Sequence, residues 1–292
     1  MKKRISRRSF VHTTAGGVAA LGVASSLKVR SAETGSPTQL KGRINHSVCK
    51  WCYPNISLDN LCKAGRVMGL RSVELLAVDD FPTLKKHGLI CAMVSGVPGG
   101  ITSGFNRLEN HDKLVEYFER TAPVVAEHGY PNIICFSGNR KGLDDEKGLE
   151  NCAIGLKRVA PIAEKHRVTV CMELLNSKVD HKDYMCDHTA WGVKLCRRVG
   201  SERFKLLYDI YHMQIMEGDV IRTIKDNYDC IGHYHTGGVP GRNEIDDTQE
   251  LNYPAIMNAI QATGFKGHVA QEFKPRREPL ASLQQAIGIC DV

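Results

Sequence analysis

From residue 44 onward the chain alternates between two hydrophobic periods, and this alternation constrains its fold more than any other feature. Apolar runs of five or six residues lie at 44–49, 72–76, 89–94, 132–136, 168–173, 204–209, 230–235 and 268–272, and read as strands. Stretches with apolar positions three and four apart lie at 58–68, 81–87, 111–128, 147–166, 188–199, 219–227, 253–263 and 279–289, and read as helices. Strands that alternate with helices imply a parallel sheet with helices outside it. Eight such units in roughly 250 residues fit a closed barrel. An open doubly wound sheet would place a phosphate-binding glycine loop after an early strand. The Gly-rich stretch 96–104 has neither that fingerprint nor a following Lys-Ser/Thr. The expected fold is therefore α/β, a single (β/α)8 TIM barrel over residues 43–292, after a linker at 33–42.

Residues 1–32 have a different character. They hold seven of the 39 basic residues and none of the 32 acidic ones, so the remainder is balanced at 32 against 32. A barrel without net charge lacks the global basic excess of many nucleic-acid binders, and no nucleic-acid partner is expected. The basic start, the Ser6-Arg7-Arg8-Ser9-Phe10-Val11 run and the weakly apolar stretch from Thr13 to Leu27 resemble a twin-arginine export signal. The expected location is the periplasm or cell envelope. No run reaches the roughly 18 apolar residues of a membrane span, so only an uncleaved signal would anchor the chain. The eleven cysteines are odd in number and scattered through strands and helices. They read as small buried hydrophobes, not as a disulfide framework.

Barrel enzymes build their sites where strands end and loops begin. The last four strands end at Glu173, Asp209, His235 and Glu272, separated by 36, 26 and 37 residues, one strand–helix unit each. Successive units thus deliver three carboxylates and one imidazole to one rim. That donor set suits Mn²⁺ or Mg²⁺ with positions left open for substrate. Zinc is less favoured because no cysteine joins the set. His233 shares a strand face with His235, and Arg242 follows in a loop broken by Gly237, Gly238, Pro240 and Gly241. The loop at 95–110 is long enough for a substrate-facing excursion. Glu74 ends the second strand, with a site role and a structural one equally open. Trp51 and Phe105 read as walls of the pocket or as packing residues, with packing preferred.

The segments Val73-Glu74-Leu75-Leu76, Glu173-Leu174-Leu175-Asn176, Tyr208-Asp209-Ile210-Tyr211-His212, Gly232-His233-Tyr234-His235, Val239-Pro240-Gly241-Arg242 and Gln271-Glu272-Phe273 occur in an order that resembles the sugar isomerase/epimerase superfamily. Within it, hydroxypyruvate isomerases are the most similar, and the resemblance runs from about Arg43 to the C-terminus. It implies that Glu173, Asp209, His235 and Glu272 are metal ligands and that Glu173 and Glu272 are the acid/base pair. It also implies that His212 and Arg242 contact substrate oxygens. From the residues themselves, Asn176 reads as a substrate contact or as a residue that orients Glu173, and His233 as a substrate contact or as support behind His235. In hydroxypyruvate isomerases a glutamine tends to stand where His235 stands, whereas ketose 3-epimerases carry histidine.

The implied activity is a metal-dependent isomerisation through an enediolate, hydroxypyruvate to tartronate semialdehyde or a related small sugar or sugar acid. The substrate is a small carbohydrate or hydroxy-keto acid, and a homo-oligomer is compatible with it. A ketose 3-epimerase or inosose dehydratase is the alternative within the fold. A phosphoesterase would want more metal ligands and a basic face. A non-catalytic sugar-binding barrel would have no need of two intact glutamates.

Overall fold

The computed structural model describes residues 39–292, so the export signal and most of the linker expected at 1–42 lie outside the described residues. Seven parallel strands form one sheet: β1 (Asn45–Cys49), β2 (Ser72–Glu74), β3 (Asn132–Cys135), β4 (Thr169–Glu173), β5 (Phe204–Asp209), β6 (Ile231–Thr236) and β7 (His268–Gln271). Their order is β2-β1-β7-β6-β5-β4-β3, so the two sheet edges are β2 and β3. Most strand residues are buried, as expected for a parallel sheet covered by helices outside and filled by side chains inside.

The edges are joined by residues 89–95, where an eighth strand was expected. This segment is not a regular strand. Its backbone pairs with β2 and β3 through isolated parallel bridges, Ser72 to Ile90 and Val94 to Ile133, and a third bridge joins Val94 to Leu76, just past β2. Side chains explain the irregularity. Ser72 Oγ accepts the Ala92 N–H at 2.8 Å, and Asn132 Nδ2 donates to the Ala92 carbonyl at 2.8 Å. Two ladder positions are thus held by side chains from the neighbouring strands, and the barrel closes without a continuous ladder. A buried backbone group must be paired by something.

The helices are α1 (Leu58–Met68), α2 (Phe81–Lys86), α3 (His111–Glu127), α4 (Asp145–His166), α5 (Thr189–Val199), α6 (Ile210–Met216), α7 (Val220–Asn227), α8 (Tyr253–Ala262) and α9 (Pro279–Cys290). Local chemistry sets several of their ends. Ser57 caps α1 through the Asn60 N–H, and Gly69 closes it at φ 90°. Asp144 accepts the N–H groups of Glu146 and Lys147 at the start of α4. The short α6 was not expected from the sequence, where the unit after β5 was read as one helix near 219–227. Asp209 starts it by accepting the His212 N–H at 3.1 Å. All eleven cysteines are free and buried, as their scatter suggested.

One irregularity bears on the site. In β6 the register against β5 slips, so Leu206 pairs with Ile231 and Leu207 with His233, and Gly232 is skipped. A Cβ at Gly232 would stand 2.9 Å from Lys205 Cβ and 3.2 Å from Cys171 Sγ. The bulge needs glycine there. Beyond it His233 and His235 both point into the barrel, with ring centroids 5.1 Å apart and planes nearly perpendicular.

Candidate active site

The strand ends assemble as the spacing required. Glu173 closes β4, Asp209 closes β5, His235 lies in β6, and Glu272 follows β7, held by its N–H to the Thr236 carbonyl at 3.1 Å. One potential ligand atom from each of the four lies within 4.8 Å of the others. All four residues are buried, with exposures of 5% or less. They sit at the floor of a cavity of about 530 Å³, which Glu173 and Glu272 line directly.

The electrostatics of this cluster favour a cation. Three carboxylates share one buried space, and burial penalises each charge. Asp209 is pushed up to about 8, chiefly by burial; Arg242 opposes the shift and Glu272 adds to it. Glu173 is raised for the same first reason, against the bond from His235. Burial also acts on Glu272, but Arg242, His235 and Trp51 together outweigh it and hold this carboxyl well below the usual range. His235 Nδ1 is 2.6 Å from Glu272 Oε2 and 3.5 Å from Glu173 Oε1, yet makes no well-formed hydrogen bond. Burial opposes charge on His235, but Cys49, Glu272 and Glu173 outweigh it and hold the ring protonated; a divalent ion would take the place of the Nδ1 proton that now faces the carboxylates. Glu173, Asp209, His235 and Glu272 would hold it.

Arg242 now supplies the cationic charge. Its Nη2 lies 2.7 Å from Asp209 Oδ2 and 2.5 Å from Glu272 Oε2, and its Nε donates to the Glu272 carbonyl at 3.0 Å. The guanidinium stacks between Trp51 and Tyr211, 5.4 and 5.1 Å from the ring centroids. The loop that carries it turns back on itself through an antiparallel bridge between Gly238 and Asn243, which places Arg242 over the strand ends.

His212 stands beside it, fully buried, and burial followed by the Arg242 charge pushes its pKa far down. The ring is therefore neutral, with one N–H and one lone pair. Its Nδ1 accepts from the Asn176 backbone N–H at 3.1 Å and from Asn176 Nδ2 at 2.7 Å, so the proton sits on Nε2. That Nε2–H faces Arg242 Nη1 at 2.9 Å, donor against donor. An oxygen atom accepting from both would satisfy both.

Of the residues expected near substrate, Arg242 lines the cavity, whereas His212, Asn176 and His233 do not. Asn176 does not line the cavity; it orients His212 and holds the 176–180 turn through Val179 N and Asp180 N. His233 is fully buried below the cluster, 2.7 Å from Glu74 Oε1, and does not reach the cavity. The reason is the strand pleat, which puts a residue two before the rim one layer down.

Trp51 was read as packing, and that is corrected. It is 43% exposed, lines the cavity and donates Nε1–H to Glu272 Oε1 at 2.6 Å. Its position two residues past β1 was the available signal. Phe105 is a core residue as expected, whereas Ser95 and Ile101 bring the long 95–110 loop to the cavity wall. Lys274 lies at the rim, a further positive charge that the sequence pattern did not single out.

Comparison with known proteins agrees with this architecture. The 2-oxo-tetronate isomerase of Cupriavidus necator is 36% identical over 230 residues, covering 74% of this chain and 86% of that protein. The hydroxypyruvate isomerase of Escherichia coli is 31% identical over 157 residues, covering 50% of this chain and 55% of that protein. Among solved structures, an AP endonuclease of family 2 from Brucella melitensis superposes with a TM-score of 0.73 at 24% identity, covering 82% of this chain and 97% of that one. The D-psicose 3-epimerase of Clostridium cellulolyticum H10 superposes with a TM-score of 0.68 at 17% identity, covering 85% of this chain and all of that one. These two structures share the fold. The xylose isomerase-like TIM barrel family matches residues 82–290, and the chain belongs to that family.

Proposed function

We propose that this chain is a divalent-metal-dependent isomerase of small 2-oxo acids. It interconverts hydroxypyruvate and tartronate semialdehyde, or a closely related acid such as a 2-oxo-tetronate, by moving a proton between adjacent carbons. The enzyme class, an aldose–ketose isomerase, follows from the family and from the named activities of its relatives. The observation that carries the mechanism is the split pair of glutamates. Glu173 and Glu272 line one cavity from one buried cluster, with the first raised and the second lowered in pKa. Two carboxyls that face one cavity can divide the acid and base roles between them.

Mn²⁺ or Mg²⁺ held by the four-residue cluster would polarise the substrate carbonyl, so that the neighbouring C–H becomes acidic. Glu272 is held ionised and takes that proton. Glu173, on the same cavity, returns a proton to the other carbon. His212 Nε2–H and Arg242 converge on a substrate oxygen, and a carboxylate suits the planar guanidinium. Trp51 holds Glu272 Oε1 in place.

The test is solvent exchange. With Mn²⁺ or Mg²⁺ present in D₂O, deuterium should enter one carbon of hydroxypyruvate or of a 2-oxo-tetronate. Glu272→Gln should abolish exchange while the circular dichroism spectrum stays native, and normal turnover in that variant would sink the mechanism. His235 favours one second reading, a ketose 3-epimerase. Exchange into free ketoses and not into 2-oxo acids would select it. Residues 1–32 support export to the periplasm or cell envelope, which cell fractionation of the full chain tests.

A further inference from the structure

Glu74 is a carboxylate with no access to solvent or substrate. It closes β2, is fully buried and does not line the cavity. β2 and β6 are three places apart in the sheet, so their side chains meet across the barrel interior. Glu74 Oε1 lies 2.9 Å from His235 Nε2 and 2.7 Å from His233 Nε2, and Oε2 accepts from Ser47 Oγ at 2.5 Å. A carboxylate has no proton to give, so both imidazoles donate Nε2–H to it.

For His235 this has a consequence on the other side of the ring. A histidine that binds a metal must be neutral, and with its remaining proton kept on Nε2 the lone pair falls on Nδ1. Nδ1 is the atom aimed at Glu272 and Glu173, and the one without a well-formed hydrogen bond. Without an acceptor behind it, the ring could hold its proton on Nδ1 and close a hydrogen bond to Glu272, which would block the position. Histidine ligands commonly donate their second nitrogen to a carboxylate, which fixes tautomer and ring orientation. We propose that Glu74 is a positioning residue, which accepts Nε2–H of His235 and so presents the Nδ1 lone pair to the metal cluster. The inference rests on the metal-site reading above. Ser47 and His233 act on the carboxylate and hold it in that place.

A purely structural Glu74 that only neutralises two buried histidines predicts a different result. The test is a double-mutant cycle on Mn²⁺ affinity, measured by calorimetry on the folded full chain. Glu74→Gln keeps the shape and removes the charge, and should weaken Mn²⁺ binding by about 10–100-fold. His235→Gln removes the ring. In that background Glu74→Gln should cost no more than about twofold, the scatter of independent sites. An equal cost in both backgrounds overturns the proposal, because Glu74 then acts through the fold and not through His235. Wild-type affinity in Glu74→Gln overturns it alone, whereas no Mn²⁺ binding by the wild type overturns the metal-site reading and this inference together. A second measurement does not depend on the folding of Glu74→Gln. In ¹⁵N-histidine-labelled wild type loaded with Mg²⁺, the His235 signal, identified by its loss in His235→Gln, should report the Nε2–H tautomer. An Nδ1–H tautomer overturns the proposal.

Discussion

At the scale of single residues, the site is a contest between charge and burial. Asp209 is raised to about 8, so near pH 6–7 it carries a proton that a metal must displace. Mn²⁺ affinity should therefore rise by up to about tenfold per pH unit below pH 8 and level off above it. Calorimetry across that range checks the sign, and a flat profile refutes it. Trp51 acts on Glu272 through one hydrogen bond to a charged acceptor. Such bonds contribute roughly 1.5–3 kcal/mol, so Trp51→Phe should lower kcat by about tenfold or more. Steady-state kinetics reads this directly. Trp51 is half exposed, so the thermal midpoint should hardly move.

At the scale of elements, two irregularities give the barrel its interior. The register of β6 slips at Gly232, just before its two inward histidines, and a Cβ there would press on Lys205 and Cys171. Gly232→Ala should destabilise by about 1–3 kcal/mol through overpacking against Lys205 and Cys171, as urea unfolding would show. The segment at 89–95 depends on side chains in place of a ladder. Ser72→Ala leaves the Ala92 N–H buried and unpaired, which costs roughly 1–3 kcal/mol. Hydrogen exchange should locate that loss at the β2 edge. Unchanged protection of Ala92 would show that the ladder needs no side-chain support.

At the scale of the whole molecule, a metal bound only by the folded state stabilises it by mass action. At a hundredfold excess over the dissociation constant the gain is about 2.7 kcal/mol. For a domain of this size that is roughly 5–10 °C in the thermal midpoint. Chelation should remove the shift and Mn²⁺ restore it, and a melt indifferent to both contradicts the metal-site reading. The same barrel serves an AP endonuclease of family 2, so fold by itself does not select chemistry. Here the basic and acidic residues beyond position 32 are equal in number.

What was legible in the sequence were features that depend on periodicity. Strand and helix patterns repeat along the chain, so the barrel and the four strand ends Glu173, Asp209, His235 and Glu272 followed from spacing and pleat. The order of local motifs around them carried the isomerase resemblance. What the tertiary structure decided were contacts across the barrel and exposure at its rim. Nothing local marks Glu74 as the partner of a histidine 161 positions away. The place of Trp51 just past β1 marks it for the rim, but only its exposure and its bond to Glu272 separate it from a core aromatic. His212 turns Nε2–H toward Arg242 only because Asn176, 36 residues earlier in the chain, occupies its other nitrogen. The irregular eighth stave was likewise hidden, because a run of apolar residues reports burial and not which group pairs its backbone. A linear pattern encodes which face a residue takes; partner, tautomer and charge state are fixed only when distant strands meet in one low-dielectric space.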